Sequence, residues 1–152
     1  MGEATGDFYD DSDLSNSDIN LYYYGRLKMD ALERPACRKR YETIRRYLEI
    51  RRSFPEIFTS FPDNHKESRI VKIAVSGLDS YQPYARYAQG KAVLVVPNAT
   101  QTEAHVTISI PAVPGLSESC TVTDLLSGEV LGRTSMFSAS IASGELGLYL
   151  VC

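Results

Sequence analysis

The chain changes its hydrophobic period once. Between residues 36 and 54 apolar side chains recur with the 3.6-residue period of an amphipathic helix, and Pro35 and Pro55 suit its first turn and its end. These apolar side chains occupy about half of the helical wheel: Tyr41, Ile44, Tyr47, Leu48, Ile50 and Phe54. The opposite side is mostly charged, with Arg38, Glu42, Arg46, Glu49 and Arg52. We therefore predict one helix whose apolar face needs a partner surface.

Arg51 differs from the other charged residues because the wheel places it in the middle of the apolar stripe. An unpaired guanidinium would be costly there, so we predict that Arg51 is at least half buried and bonded to a carboxylate or to backbone carbonyls. The alternative is that its side chain extends along the helix to water.

From residue 70 onward the hydrophobic period becomes two. Turn signals such as Gln89-Gly90 and Ser127-Gly128 separate short apolar or alternating runs. These runs cover residues 70–75, 84–88, 92–97, 104–110, 120–125, 129–131, 137–141 and 146–151. They predict a mainly β protein with an N-terminal α-helical arm, in which an antiparallel β-sandwich of seven to eight strands, of Greek-key type, packs on the amphipathic helix.

Alternation within the runs assigns side chains to the core. Four sets each point to one side of a strand: Ala104, Val106, Ile108 and Ile110; Leu146, Leu148, Leu150 and Cys152; Phe137, Ala139 and Ile141; and Ile73 with Val75. A core in a domain of about 80 residues is small enough to gain from docking on the helix. We therefore expect the helix and the sandwich to share one hydrophobic interface.

The whole chain has a net charge of −3, and its charge pattern differs between residues 1–20, 21–69 and 70–152. Residues 1–20 carry six acids and no base, which predicts an acidic tail or loop. We predict that residues 21–60 form a helical segment and that residues 68–152 form the sandwich. Because bases and acids alternate along the helix, they favour a solvated, salt-bridged face over a nucleic-acid surface. The acidic run lacks the Gly and Glu of a calcium loop, and no metal or other cofactor is expected.

The composition also bears on the class of protein. The longest wholly apolar run, residues 92–97, is far shorter than the roughly 20 residues of a membrane span, and no leader pattern precedes it. Cys37, Cys120 and Cys152 are scattered without metal-ligand spacing, which predicts free thiols. We expect no membrane partner, assign no compartment, and interpret the chain as a piece of a longer protein.

No catalytic motif is present in the sequence. His65 lies in a polar linker and His105 on the outer face of a strand, and neither has a nearby Ser or Cys in a nucleophile setting. Asp124 and Glu129 are turn residues, which are seldom held firmly enough for acid/base work. We therefore expect no catalysis by this chain alone.

Tyrosine is enriched, with ten in the chain. Tyr81, Tyr84 and Tyr87 are spaced by three and are candidates for contact with carbohydrate, since aromatic faces stack on sugar rings. The alternative, which we favour, is that Tyr84 or Tyr87 covers a sheet edge.

Four stretches resemble the C-terminal part of the α-amylase family, glycoside hydrolase family 13. The stretch YLEIRRSFPEIF, residues 47–58, resembles the end of the last barrel helix. Three others resemble the domain that follows the barrel: KAVLVVPNAT at 91–100, TDLLSGEVL at 123–131 and IASGELGLYL at 141–150. The resemblance covers about residues 41–152 and does not extend to residues 1–40.

The resemblance implies a non-catalytic C-terminal β-sandwich that stabilises the barrel of an α-glucan-active glycoside hydrolase or glucanotransferase. The family's catalytic carboxylates lie on barrel strands, and a barrel of about 250 residues does not fit in this chain, so no catalytic residue is transferred. The expected partners are the missing barrel, an α-glucan, or a second copy of the chain through the exposed helix face. Two alternatives remain: a carbohydrate-binding module that uses surface tyrosines, and a protein-interaction sandwich.

Overall fold

The computed structural model describes residues 35–58, 70–78 and 83–152. The predictions for the acidic segment, for the linker that holds His65 and for Tyr81 lie outside these residues. The chain divides into two compact units, and the second is Phe54–Cys152. Helix α1, Pro35–Ser53, belongs to the first unit. The shared interface between helix and sandwich stays a prediction.

Helix α1 matches the predicted helix to within one residue at each end. Its half-buried side chains include Tyr41, Ile44, Tyr47 and Ile50, whereas Leu48 is exposed. All five charged residues predicted for the opposite side are exposed. Arg45 Nε donates a hydrogen bond of 3.0 Å to Glu49 Oε1, one turn further along. The salt-bridged character predicted for this side is therefore present.

Arg51 is exposed, so the prediction that it is at least half buried is wrong. It lies in the last turn of α1. A long aliphatic stem lets a guanidinium reach water from an apolar stripe, and hydration there costs less than burying the charge. The alternative placement, extension to solvent, is the one that the structure supports.

The second unit contains one short helix and, among the residues described, nine strands. Helix α2 is Pro55–Phe58. The strands are β1 Ile70–Lys72, β2 Val75–Ser76, β3 Tyr84–Ala88, β4 Lys91–Pro97, β5 Ala104–Ser109, β6 Cys120–Asp124, β7 Val130–Thr134, β8 Met136–Ile141 and β9 Leu146–Val151. They form a six-stranded sheet in the order β1-β3-β4-β9-β6-β7 and a three-stranded sheet in the order β2-β5-β8.

Every strand pairing in the two sheets is antiparallel, which confirms the predicted fold class. One buried cluster takes side chains from both sheets, so the sheets pack face to face as a sandwich. The contact between Phe137 of β8 and Tyr149 of β9, with ring centroids 4.9 Å apart, lies within this core. The largest fully buried members of the cluster are Leu94, Ile108, Val96, Val122, Val151 and Cys120.

Three of the four predicted core sets supply this cluster. Ala104, Val106 and Ile108 are buried, as are Phe137 and Ile141, and Ile110, Ala139 and Val75 pack against the cluster. The fourth set, on β9, is assigned to the wrong face. Tyr149 and Val151 point into the sandwich, whereas Leu148 lies on the opposite face and Cys152 is exposed. Both faces of β9 are apolar, so alternation alone did not distinguish them.

The predicted strand over residues 70–75 is divided between the two sheets. Val71 pairs with Ala85 in the six-stranded sheet, whereas Val75 pairs with Ile108 in the three-stranded sheet. Ile73, at the crossing, is buried in the shared core. The chain changes sheets here, which explains why the structure has one strand more than the upper limit of the prediction.

Helix α2 covers part of the outer face, which we define as the face of the six-stranded sheet turned away from the three-stranded sheet. Val93 and Val95 of β4 lie on this face and are buried. α2 contacts β3 and β4, and Ile57 at its centre is 0% exposed. The guanidinium carbon of Arg86, on β3, lies 5.9 Å from the Phe58 ring centroid, in the range of a cation–π contact. α2 is therefore an integral part of the second unit.

Ile57→Ala is expected to lower the free energy of unfolding by about 3 kcal/mol, since it leaves a cavity under α2 where a fully buried side chain was removed. The matched control is Ile70→Ala, because Ile70 is 50% exposed and its truncation should cost well under 1 kcal/mol. Urea denaturation of both variants measures the difference. Equal losses would contradict the packing of α2 on this sheet.

Two of the three predicted free thiols lie where the structure describes their side chains. Cys120 is free and buried, and its Sγ donates a hydrogen bond of 3.1 Å to the Ser117 carbonyl. Cys152 is free and exposed. The prediction is confirmed for these two.

Candidate functional site

Of the candidate carbohydrate-contacting tyrosines, Tyr84 and Tyr87 lie in the described residues, and these two do not share one surface. Within β3, Tyr84 lies on the outer face, whereas Tyr87 packs against the core cluster between the sheets. Residues three apart in a strand point to opposite faces, because side chains alternate with a period of two. A spacing of three places side chains on one face of a helix, but it places them on opposite faces of a strand. Both side chains are half buried.

His105 has a serine neighbour that the sequence analysis missed. Its Nδ1 lies 2.8 Å from Ser140 Oγ, and its Nε2 lies 3.6 Å from Glu103 Oε1. The pair forms because Ser140 of β8 lies directly opposite His105 of β5 in the sheet. The proximity of His105 and Ser140 follows from the strand register, which the sequence pattern does not give. As predicted, His105 itself lies on the outer side of its strand, with 78% of its side chain exposed.

The surroundings of His105 and Ser140 are open and polar. They border a depression of about 340 Å³ that is also lined by Thr107 and Ser138. Thr107 Oγ1 and Ser138 Oγ lie 3.3 Å apart, in the next cross-strand pair. The serine and histidine have an acid–base arrangement, but a nucleophilic enzyme also needs donors for the oxyanion and a dry cleft. The pair is instead open to water, with 78% of the His105 side chain exposed.

Among the described residues, Asn98 is the one polar residue in the buried class, with 1% of its surface exposed. Its Nδ2 donates to the carbonyls of Thr102, Ile141 and Ala142 at 2.8, 2.9 and 3.2 Å. Its Oδ1 accepts hydrogen bonds from both Thr100 N and Thr100 Oγ1, at 3.0 and 2.6 Å. One side chain therefore joins the loop after β4 to the turn between β8 and β9, and its role is structural.

Asp124 is held more firmly than its place in a turn suggested. Its Oδ1 accepts hydrogen bonds from Leu126 N at 2.7 Å and from Ser127 N at 3.3 Å. Its backbone N–H donates to the Glu129 carbonyl, and its carbonyl accepts from Gly128 N. The expectation that turn carboxylates are loosely held is wrong for Asp124. Glu129 is exposed.

A cavity of about 240 Å³ opens beside Asp124. It lies between the turn that follows β6 and the turn that precedes β9. Asp124 and Glu145 contribute carboxylates to its lining, and Tyr149 contributes a phenol. The other lining residues are Leu126, Ser140, Ile141, Ala142, Leu146 and Gly147. Among the described residues, the lining is therefore mainly apolar, with two acids and no Lys or Arg.

Strand register brings these groups together. Asp124 of β6 pairs with Tyr149 of β9, so the carboxylate and the phenol lie on the same side of the sheet. Gly147 makes room for the ring, because a Cβ at this position would lie 2.8 Å from Tyr149 Cε2 and 2.9 Å from its hydroxyl. Burial of the ring raises the pKa of Tyr149, and the negative charge of Asp124 makes a smaller contribution in the same direction. Together they raise this pKa from 10.0 to about 12.

Stability should therefore decrease at high pH through Tyr149. The native state holds the phenol proton more tightly than the unfolded chain, so this contribution is fully present below pH 10 and is lost as the pH rises toward about 12. Tyr149→Phe should remove this decrease. Urea unfolding at about pH 8 and about pH 11 tests it. An equal loss of stability in the parent and variant chains would contradict the assignment.

Within the described ranges, no group of three His, Cys, Asp or Glu residues is arranged to hold a metal ion. No helix in that part of the chain is both long enough and apolar enough to cross a membrane. In comparisons with known proteins, no family model and no curated protein matches the sequence.

Proposed function

We propose that this chain is the C-terminal β-sandwich, with the preceding helical segment, of an α-glucan-active enzyme resembling the α-amylase family. In this proposal the chain carries no chemistry of its own. It stabilises the catalytic barrel of the longer protein by covering apolar surface on the barrel's last helix.

The observation that carries the proposal is the second apolar layer on the outer face. A free-standing sandwich can leave the outer faces of both sheets polar, as the His105, Thr107 and Ser138 side of this one is. The outer face of the six-stranded sheet instead buries Val93, Val95 and Ile57. Within the second unit α2 covers this apolar outer face, and a sheet that is apolar on both faces is suited to packing between two layers.

The placement of the family-like stretches supports the same proposal. Residues 91–100 form β4 and the Asn98 loop, and residues 123–131 form the turn between β6 and β7 with its flanking strand ends. Residues 141–150 form the turn between β8 and β9 and most of β9. In the sheet these strands are contiguous, in the order β4-β9-β6-β7. Three stretches that are separated in sequence therefore build one continuous piece of structure.

An activity assay of the 152-residue chain tests the absence of chemistry. We expect no release of reducing sugar from soluble starch or maltoheptaose above the buffer control. Ser140→Ala serves as the matched variant, because it removes the hydroxyl beside His105 without touching the core. Turnover by the unsubstituted chain would contradict the proposal. If Ser140→Ala abolished that turnover, the chemistry would lie on the solvent-facing side of the three-stranded sheet, beside His105.

A further inference from the structure

The cavity beside Asp124 has features that a purely structural void lacks. Tyr149 is 3% exposed, yet it lines the cavity, and its hydroxyl makes no hydrogen bond within the described part of the chain. The Tyr149 ring is buried, but its hydroxyl is not among the buried atoms without a partner, so water or a ligand can supply its hydrogen bond. The opening therefore presents an unsatisfied polar group at its floor.

Acidic residues make the lining of the cavity negatively charged. Asp124 is fixed through Oδ1 by two backbone N–H groups, which leaves Oδ2 without a hydrogen bond in the described residues. Glu145 is a second acidic residue of the lining, and none of the described lining residues is Lys or Arg. The Asp124 charge raises the pKa of the Tyr149 phenol, so its negative potential reaches the hydroxyl. An anion would be repelled from this lining.

The size and the walls narrow the class of ligand. A volume of about 240 Å³ is slightly below the roughly 300 Å³ at which pockets for drug-sized ligands begin. Leu126, Ile141 and Leu146 provide aliphatic walls. Such walls suit a short hydrocarbon chain, whereas the acidic lining suits a positive charge at its end.

We propose that this cavity binds the cationic end of a short aliphatic chain, an alkylammonium or alkylguanidinium group. The hydrocarbon contacts the leucine and isoleucine side chains, the cation pairs with Asp124, and the Tyr149 hydroxyl accepts a hydrogen bond from it. The group is either a free small molecule or a Lys or Arg side chain of another protein. This inference does not depend on the proposed relation to α-glucan enzymes.

The test is a titration of the 152-residue chain with n-butylguanidinium. Binding is monitored by the NMR chemical shifts of the Leu126 and Gly147 backbone amides. n-Butylurea is the matched ligand, because it has the same shape without the charge. We expect n-butylguanidinium to bind with a Kd of about 10 mM or below, and n-butylurea to bind at least about tenfold more weakly. Equal affinities, or no shift with either, would overturn the proposal, as would tighter binding of maltose.

The variants separate charge from folding. Asp124→Asn keeps an oxygen that accepts the two backbone hydrogen bonds of the turn, and it replaces the charged second oxygen with a neutral NH₂ group. We expect it to weaken n-butylguanidinium binding about tenfold. Glu129→Gln, in the same hairpin but outside the cavity lining, should leave binding unchanged. Equal weakening by the two variants would contradict a local site and indicate general attraction.

A further ligand distinguishes the two sources of the cation. Nα-acetylarginine methylamide carries the same guanidinium on a peptide backbone. Tighter binding of this compound than of n-butylguanidinium supports the proposal with a protein side chain as the ligand. Weaker binding supports it with a free small molecule.

Discussion

Asn98→Asp is expected to lower the free energy of unfolding by about 4 kcal/mol, a large share of the roughly 5–15 kcal/mol available to a domain. The substitution preserves the shape of the side chain and the acceptor for Thr100. It replaces the amide donor, which bonds the carbonyls of Thr102, Ile141 and Ala142, with a carboxylate oxygen. Three carbonyls would then face a buried negative charge. Urea denaturation measures the loss.

Two comparisons make the Asn98 result specific. Gln101→Ala changes an exposed residue of the same loop and should cost less than about 0.5 kcal/mol. The loss in Asn98→Asp should also be smaller near pH 4, where the introduced carboxyl is partly protonated, than near pH 7. A loss of under about 1 kcal/mol at neutral pH would contradict the proposed role of Asn98 as the buried link between the two turns.

Gly77→Ala is expected to cost about 4 kcal/mol. Gly77 follows β2 and has a φ of +86°, in the left-handed region that disfavours a side chain. A Cβ there would also overlap the backbone carbonyl of His105, which cannot move without shifting β5. Since β2 joins the three-stranded sheet only through β5, the pairing of Val75 with Ile108 would be disturbed as well.

Gly128→Ala is the matched control for Gly77. Gly128 has a similar φ of +78°, but a Cβ there would meet nothing within 4 Å. It should cost only the backbone term of about 1 to 2 kcal/mol. The difference between the two alanine variants, measured by urea denaturation, isolates the contact with His105. Equal losses would indicate that backbone conformation alone explains the Gly77 effect.

Local pattern predicted most of the fold because prolines and turn residues determine where elements begin and end. Pro35 and Pro55 delimited helix α1 to within one residue. Membership of a sheet is different, because it depends on contacts between segments distant in sequence. The run 70–75 has a single alternation, yet it contributes to both sheets. In β9, Leu148 and Tyr149 are both buried, and only the packing of the second sheet decides which of them faces the core.

The candidate sites were less predictable for the same reason. The spacing of three between Tyr84 and Tyr87 suggested a shared surface, but in a strand it places the two side chains on opposite faces of the sheet. Asp124 and Tyr149 come together through the pairing of β6 with β9, and His105 and Ser140 through the pairing of β5 with β8. A predicted strand order would have revealed both pairs. The side-chain pattern alone carries no signal for them.

Reading the coding sequence directly upstream of residue 1 tests the central claim most directly. If the proposed function is right, an open reading frame of roughly 250 residues or more precedes residue 1, with the alternating strand and helix patterns of a barrel and carboxylates at the strand ends. An in-frame stop immediately upstream, or an upstream region without that alternation, would contradict the proposal that this chain is the supporting domain of a larger α-glucan enzyme.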